Sequence, residues 1–236
     1  MPESHRRAAE IDTADETVRL EGVGFGYADA PGVLRNVDLI LPRGSFHFLT
    51  GPSGAGKSSL LKLLTLAERP TSGRLHLFGE DVTHIPRSAV PAIRRRTGVV
   101  FQDFRLLDHL SAFDNVALPL RLARLKPEDY AADVEEMLNW VGLGARMADR
   151  PPALSGGEKQ RLAIARAVVA HPGLILADEP TGSVDAAMGE KLLGLFQALN
   201  RLGTTVLIAS HDETLAARSG ARILRLDRGR LIGSGA

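Results

Sequence analysis

The chain has 236 residues, and its 29 lysines and arginines against 28 aspartates and glutamates give a formal net charge of +1. This balance argues against capture of nucleic acid or anionic lipid by general electrostatic attraction. Hydrophobic residues make up 44% of the chain and cysteine is absent, which predicts a folded globular protein and excludes disulfides, thiol catalysis and cysteine-ligated metals. No apolar run approaches the roughly 20 residues that a membrane-spanning helix needs.

The N-terminal part of the chain changes character near Val18. Residues 1–17 contain Arg6 and Arg7 but no apolar segment after them, so they predict a disordered tail and not a secretory signal. Segments 18–23 and 37–41 then alternate apolar and polar residues at period two. This alternation predicts half-buried strands of a small antiparallel sheet.

A glycine-rich loop follows a short apolar segment, residues 45–50, that predicts a buried strand. Residues 51–58 read G-x-x-x-x-G-K-S, and the leucines after them recur at helical spacing. This strand–loop–helix order predicts a phosphate-binding loop in which backbone N–H groups converge on phosphate oxygens, Lys57 reaches the β- and γ-phosphates, and Ser58 ligates Mg²⁺. The predicted nucleotide contacts are Gly51, Pro52, Ser53, Gly54, Ala55, Gly56, Lys57, Ser58 and Ser59. The motif alone leaves kinases, GTPases, motors and transport ATPases open.

The middle of the chain changes to helical periodicity between about residues 111 and 150. Short apolar runs at 174–177 and 206–209 then predict strands that are covered on both faces, as in parallel sheets. We therefore expect an α/β core that carries an N-terminal β-layer and an inserted helical subdomain.

A second candidate phosphate site lies at Leu154-Ser155-Gly156-Gly157-Glu158. Ser155 is a favourable N-cap, and the glycines leave backbone N–H groups free at the start of a helix. One mononucleotide does not need two such sites on one protomer. The chain is therefore expected to hold one face of an ATP site and the opposite face of another.

The order of these motifs resembles the ATP-binding subunits of the ABC (ATP-binding cassette) family. The phosphate loop precedes the L-S-G-G-E segment, which precedes a strand ending in Asp178-Glu179. The resemblance covers about residues 18–233 and implies a P-loop NTPase fold in one ABC ATP-binding domain, 18–236, with the helical subdomain at about 103–157. In this family two cassettes pair head to tail, so Ser155 and Gly157 of one subunit would close over the γ-phosphate bound by Lys57 of the other.

The resemblance also implies the catalytic groups, with ATP as the nucleotide and Mg²⁺ as the metal. Asp178 matches the family's Mg²⁺-coordinating aspartate, and Glu179 matches its general base. His211 matches the switch histidine that contacts the γ-phosphate. By residue type alone, an Asp-Glu-Pro run also suits a solvated turn, and a single histidine at a strand end is more often structural.

Three further positions take their roles from the same resemblance. Gln102 matches the residue that touches Mg²⁺ or water and links the core to the helical subdomain. Tyr27 matches the adenine-stacking aromatic, although tyrosines in strands usually pack. Asp185 matches an interface aspartate, in a segment where Val184 replaces the leucine that is typical of the family.

Residues 103–120 resemble the cell-division branch of the family, the FtsE type, which pairs with an integral membrane protein of the FtsX type. This resemblance implies a homodimer on ATP binding and a peripheral location on the cytoplasmic face of the bacterial plasma membrane. It also implies a role in controlling periplasmic cell-wall hydrolases, with no nucleic-acid partner. The apolar Phe104, Leu106 and Leu107 either fill a groove that receives a partner helix or belong to the core of the helical subdomain.

Other members of the family remain alternatives. An ATPase subunit of a lipoprotein-release or macrolide-efflux exporter has a similar 103–120 segment. Soluble ABC ATPases of DNA repair or translation usually carry coiled-coil inserts, zinc-binding cysteines or two cassettes. A scaffold that binds ATP without hydrolysing it is disfavoured by the presence of Glu179 and His211.

Overall fold

The computed structural model describes residues 15–182 and 186–232. The strands are β1 (Glu16–Phe25), β2 (Leu34–Pro42), β3 (Phe46–Thr50), β4 (Ser72–Leu77), β5 (Glu80–Asp81), β6 (Thr97–Val100), β7 (Leu174–Asp178), β8 (Thr205–Ala209), β9 (Arg222–Asp227) and β10 (Arg230–Ile232). The α-helices are α1 (Lys57–Leu64), α2 (Val90–Arg95), α3 (Ala112–Leu122), α4 (Pro127–Trp140), α5 (Gly156–Val168), α6 (Ala186–Arg201) and α7 (Glu213–Arg218). None of the helices within these ranges has the length and apolar character that crossing a bilayer requires.

The predicted N-terminal layer is an antiparallel sheet in the order β2-β1-β4-β5. β1 begins at Glu16, two residues before the expected start at Val18. The hydroxyl groups of Thr17 and Thr205 form a hydrogen bond of 2.8 Å, which joins this layer to the central sheet. Glu16 and Thr17 therefore belong to the sheet and not to the expected tail.

The central sheet has the order β10-β9-β3-β8-β7-β6, and it is parallel except for β10. β3, β7 and β8 are almost wholly buried, which accounts for their continuous apolar sequences. Because these strands are parallel neighbours, their carboxyl ends meet at one edge of the sheet. Ligands of open α/β sheets bind at this edge.

The helical part is built around α3, α4 and α5. These helices enclose a buried apolar cluster separate from the clusters on the two faces of the central sheet. α5 contributes to two clusters, since Ile164 and Val168 pack on the sheet while Leu162 and Val169 pack on the helices. The α/β architecture with an antiparallel N-terminal layer confirms the predicted fold class, and α5 packs against both of its parts.

Candidate active site

Two glycines of the phosphate loop, Gly51 and Gly56, lie so close to neighbouring residues that a side chain at either position would displace a neighbour. Gly51 has φ 145°, and a Cβ there would lie 2.0 Å from the carbonyl oxygen of Leu226. Gly56 has φ 109°, and a Cβ there would approach the side chain of Leu34 to 2.8 Å. The loop therefore lies close against β9 and β2 in a conformation that favours glycine.

The loop leads into the N-terminus of α1 at Lys57. Gly56 caps this helix without a side-chain hydrogen bond, so the first backbone N–H groups have no acceptor within the helix. The buried Lys57 ammonium donates to the carbonyl oxygens of Gly51 at 2.7 Å and Pro52 at 3.4 Å. An ammonium has three N–H donors. One donor and a helix N-terminus are thus left for an anion such as a phosphate.

A cavity of 430 Å³ opens above this loop. Its lining brings together residues from distant parts of the chain: Val33, Ser53, Gly54, Ala55, Gly56, Lys57, Ser58, Ser59, Gln102, Asp178, Glu179 and His211. The predicted catalytic and metal-binding residues therefore face the same space as the phosphate loop. Val33 was not among the predicted contacts, because an apolar residue after a turn carries no signal for a ligand wall.

Asp178 ends β7 beside the loop and is half-buried. Burial raises the pKa of its carboxyl group above the ordinary value, the neighbouring Glu179 adds to this, and a hydrogen bond with the Ser58 side chain opposes it. A cation at this point would offset the cost of the buried charge.

The Ser58 hydroxyl and the Asp178 carboxylate are both hard oxygen ligands, which Mg²⁺ prefers. Within residues 15–182 and 186–232, no group of three or more His, Cys, Asp or Glu side chains could hold a metal alone. Magnesium sites commonly use one or two carboxylates and complete their coordination with water and substrate phosphates. The donor set therefore fits Mg²⁺ that arrives with a nucleotide.

Glu179 is held in an unusual backbone conformation between β7 and β8. Its φ of 46° lies in the left-handed region, which costs a residue of this type on the order of 1–3 kcal/mol. Its N–H donates to Ala209 at 2.8 Å, while its Oε2 accepts from His211 Nδ1 at 2.9 Å and from the His211 N–H at 3.3 Å. Both carboxylate bonds end on Oε2, so Oε1 has no protein partner among the described residues. Glu179 lines the cavity, so a water molecule there could reach its carboxylate.

Tyr27 is not among the residues that line this cavity, although its hydroxyl group is hydrogen-bonded to Ser59, which is. Its ring packs edge-on against Phe25, with centroids 4.9 Å apart, and its hydroxyl accepts a 3.0 Å hydrogen bond from Lys62. This bond holds the pKa of the Tyr27 hydroxyl below its usual value. Contact between Tyr27 and adenine stays a prediction, and Asp185 lies outside the described residues.

The L-S-G-G-E segment forms the N-terminus of α5. The Ser155 hydroxyl accepts from the Glu158 N–H at 3.3 Å, and the Glu158 carboxylate accepts from the Ser155 N–H and hydroxyl, each at 2.8 Å. This reciprocal pair is a capping box. Ser155, Gly156 and Gly157 do not line the cavity beside Lys57. A single chain thus presents the two candidate phosphate sites at separate places.

A larger cavity of 870 Å³ lies between β6, α3 and α5, and we call it the α3/α5 groove. Apolar side chains dominate its lining, including Val99, Phe101 and Leu122, and Leu122 is 69% exposed. Of the residues with two open interpretations, Leu106 packs on the helical cluster and none lines the groove. Phe101 and Arg105 do line the groove, and the backbone at Phe104 and Arg105 is left-handed.

Comparisons with known proteins agree with this geometry. The family model described as ABC transporter matches residues 34–182. The chain belongs to the ABC transporter family. This ABC cassette is 44% identical over 216 residues to the cell division ATP-binding protein FtsE of Escherichia coli K12, covering 92% of this chain and 97% of the relative.

Two further similarities place the cassette among ATP-binding proteins. It is 39% identical over 225 residues to the macrolide export ATP-binding/permease protein MacB 1/2 of Paracoccus denitrificans, covering 94% of this chain but 34% of that protein. The dimeric post-hydrolysis structure of the ATP-binding cassette MJ0796 with ADP and Pi matches with a TM-score of 0.85 and 36% identity, covering 92% of this chain and 97% of that one. The cassette is therefore an ABC ATPase subunit with FtsE proteins among its relatives.

Proposed function

We propose that the chain is the Mg²⁺-dependent, ATP-hydrolysing subunit of an FtsE–FtsX-type complex in bacterial cell division. The observation that carries this proposal is the cavity that gathers the phosphate loop with Asp178, Glu179 and His211. The 44% identity to E. coli FtsE supports the cell-division role.

The cavity suits hydrolysis of the terminal phosphoanhydride of ATP. The loop amides and Lys57 hold the β- and γ-phosphates, and Tyr27 stacks on the adenine. Glu179 takes a proton from a water whose oxygen bonds to the γ-phosphorus, while the bond to the β–γ bridging oxygen breaks and ADP leaves with that electron pair. His211 orients the Glu179 carboxylate through the 2.9 Å contact. Ser58, Gln102 and Asp178 would hold Mg²⁺, which supplies positive charge against the phosphates.

Two copies are needed to complete each ATP site. Ser155, Gly156 and Gly157 lie away from the cavity of their own chain, so a head-to-tail homodimer would place these residues of one copy over the phosphate loop of the other. Asp185 is expected at the same interface. The dimeric MJ0796 structure, at 36% identity, supports this arrangement.

The membrane partner is proposed to dock a cytosolic helix in the α3/α5 groove. Leu122 and Leu125, which line this groove, are 69% and 44% exposed, as is common for side chains that a partner covers. The complex would then lie on the cytoplasmic face of the bacterial plasma membrane, where it controls periplasmic cell-wall hydrolases.

A Glu179→Gln variant tests the hydrolytic role. Glutamine cannot accept the proton, so we expect turnover to fall at least a hundredfold, as for loss of a general base, while ATP binding and an ATP-dependent dimer persist. Glu135→Gln, on the exposed face of α4, is the matched control and should hydrolyse ATP normally. Steady-state phosphate release with and without EDTA measures both turnover and Mg²⁺ dependence. Normal turnover in Glu179→Gln would refute the assignment of the base.

The second candidate function is that of the ATPase subunit in a lipoprotein-release or macrolide-efflux exporter, and the similarity to MacB favours it. Affinity purification of the tagged chain from native membranes separates the two. Recovery of an FtsX-type protein supports the division role, whereas recovery of an exporter permease supports the second.

A Leu122→Glu variant in the groove should lose either partner, because it places a charge on the apolar docking wall.

A further inference from the structure

The backbone after Gln102 forms a turn that its sequence does not favour. Phe104 and Arg105 have φ of 59° and 47°, in the left-handed region that disfavours residues with a Cβ. The Arg105 guanidinium packs over the Phe101 ring at 4.0 Å and pairs with Asp103 at 3.2 Å. We call residues 103–105 the corner. Consecutive strained residues persist only where their surroundings hold them.

Arg166 of α5 forms hydrogen bonds to the backbone of the corner. Its Nη1 donates to the carbonyl oxygen of Arg105 at 2.6 Å, and its Nη2 donates to that of Phe104 at 2.7 Å. Burial lowers the pKa of this guanidinium, and its hydrogen bonds among the described residues go to carbonyls and not to a carboxylate. Keeping a charge half-buried without a counter-ion is costly. The planar fork of arginine, however, can reach both oxygens at once.

Arg166 connects two regions that have separate roles in the proposed function, the segment after Gln102 and the helix α5 that begins after Ser155. Along α5 it lies about 16.5 Å, or 11 residues at 1.5 Å each, from Ser155, and α5 packs against two apolar clusters. The corner directly follows Gln102, which lines the ATP cavity. Arg105 lines the α3/α5 groove and also a cavity of 390 Å³ that includes Ser58 and Asp178.

We propose that Arg166 is a positioning residue that fixes the corner to α5, so that Gln102 and the Ser155 end of α5 move as one unit when the groove is occupied. This inference rests on the proposed ATPase function. It goes beyond that function by assigning a residue outside the ATP cavity to the step that brings the two halves of the site together. Without Arg166, ATP would still bind to the phosphate loop, but Gln102 and Ser155 would no longer be aligned with each other.

An Arg166→Met variant removes the donors and keeps a side chain of similar length. We expect kcat for ATP hydrolysis to fall at least about tenfold, because both hydrogen bonds to the corner are lost and even one charge-assisted hydrogen bond accounts for about a factor of ten, with KM for ATP changed less than about twofold. In the Glu179→Gln background, ATP-dependent dimer formation should weaken by a similar factor. Arg166→Lys can bond one carbonyl and should recover part of kcat. Arg201→Met, at the exposed end of α6, is the control and should match the wild type.

Hydrogen–deuterium exchange of the ATP-free protein tests the link without relying on catalysis. Arg166→Met should exchange faster across residues 102–107, and Arg166→Lys should show a smaller effect. Unchanged exchange there, or wild-type kcat in Arg166→Met, overturns the proposal. The proposal is also overturned if Arg166→Met raises KM, lowers kcat and lowers the melting temperature together, and Arg166→Lys restores none of the three. That result would indicate a purely structural residue. A wild-type protein without ATPase activity refutes the proposed function instead, while the exchange result still decides the role of Arg166 at the corner.

Discussion

His47 is a buried imidazole on β3, the strand that leads into the phosphate loop. It is 2% exposed, and neither ring nitrogen has a hydrogen-bond partner among the described residues. Burial, with a smaller contribution from Arg222, lowers the pKa of His47 from 6.5 to about 4. The folded protein therefore holds this imidazole neutral where the unfolded chain would protonate it. The resulting stability is present above pH 6.5 and is lost as the pH falls towards 4.

Replacing His47 by leucine should remove this acid sensitivity. Between pH 7.5 and 4.5 we expect the wild type to lose about 2.5 kcal/mol more unfolding free energy than His47→Leu. Urea denaturation at the two pH values measures the difference. His109→Leu, at an exposed position, is the control and should follow the wild type. A parallel pH dependence in wild type and His47→Leu would show that His47 does not titrate in this way.

At the candidate metal site, the pKa of Asp178 is raised, in contrast to the lowered pKa of His47. Because burial raises the pKa of Asp178 in the folded state, its contribution to stability is complete below the ordinary value and is lost as the pH rises through the raised value. We expect Asp178→Asn to raise the melting temperature of the nucleotide-free protein by a few degrees at neutral pH and to abolish Mg²⁺-dependent hydrolysis. Differential scanning calorimetry in EDTA measures the first effect. A lower melting temperature would contradict this account.

At the scale of elements, sequence patterns predicted those parts whose constraints are local. The alternation in β2 and the glycine spacing of the phosphate loop each reflect neighbouring residues, so they could be read without a structure. The corner at Phe104 and Arg105 could not, because the carbonyl groups of its left-handed residues are hydrogen-bonded by Arg166, which is 62 and 61 residues away along the chain. The family resemblance predicted that Gln102 and His211 contribute to the same site, whereas the spacing of these two residues in the sequence did not.

Asn115, in the 103–120 segment that resembles the FtsE type, stabilises the loop before α3. Asn115 is fully buried, accepts from the Leu107 N–H at 2.9 Å, and donates to the carbonyl oxygens of Leu107, Leu110 and Ser111. A buried amide that is satisfied in this way specifies a local conformation. Asn115 therefore fixes the backbone between residues 107 and 111 against the first turn of α3.

The start of α5 combines a helix cap with a candidate phosphate contact, and two substitutions can separate them. Ser155→Ala loses the bond from the Glu158 N–H and should lower the unfolding free energy by about 1 kcal/mol. Ser155→Asp keeps an N-cap acceptor but loses the donor to the Glu158 carboxylate, so it should fold with some loss of stability, as Ser155→Ala does, while its negative charge should repel phosphate and prevent the ATP-dependent dimer of Glu179→Gln. Size-exclusion chromatography with ATP, together with urea denaturation, distinguishes these effects. Normal dimerisation of Ser155→Asp would exclude a phosphate contact at this residue.

At the scale of the whole molecule, the separation of Lys57 from the α5 N-terminus supports the proposal that two chains make one site. Each chain offers a cavity with catalytic residues and, elsewhere, an exposed helix N-terminus suited to phosphate. A homodimer with two-fold symmetry satisfies both surfaces at once and forms two equivalent sites. The net charge of +1 is compatible with this arrangement, since the loop N–H groups and Lys57 would bind the phosphates without a large basic surface.

Mixing two inactive variants tests this arrangement. Lys57→Ala should fail to hold ATP, and Gly157→Asp should repel the phosphate held by the other copy. The atoms nearest to a Cβ added at Gly157 belong to the Met188 and Arg161 side chains, at 3.4 Å or more, and an acidic residue suits a helix N-terminus, so folding should persist. In a head-to-tail heterodimer, the intact Lys57 of one chain faces the intact Gly157 of the other. Random pairing of equal amounts should then restore about a quarter of the wild-type ATPase rate, because half the dimers carry one intact site of two. If each site were complete within one chain, the mixture would remain inactive.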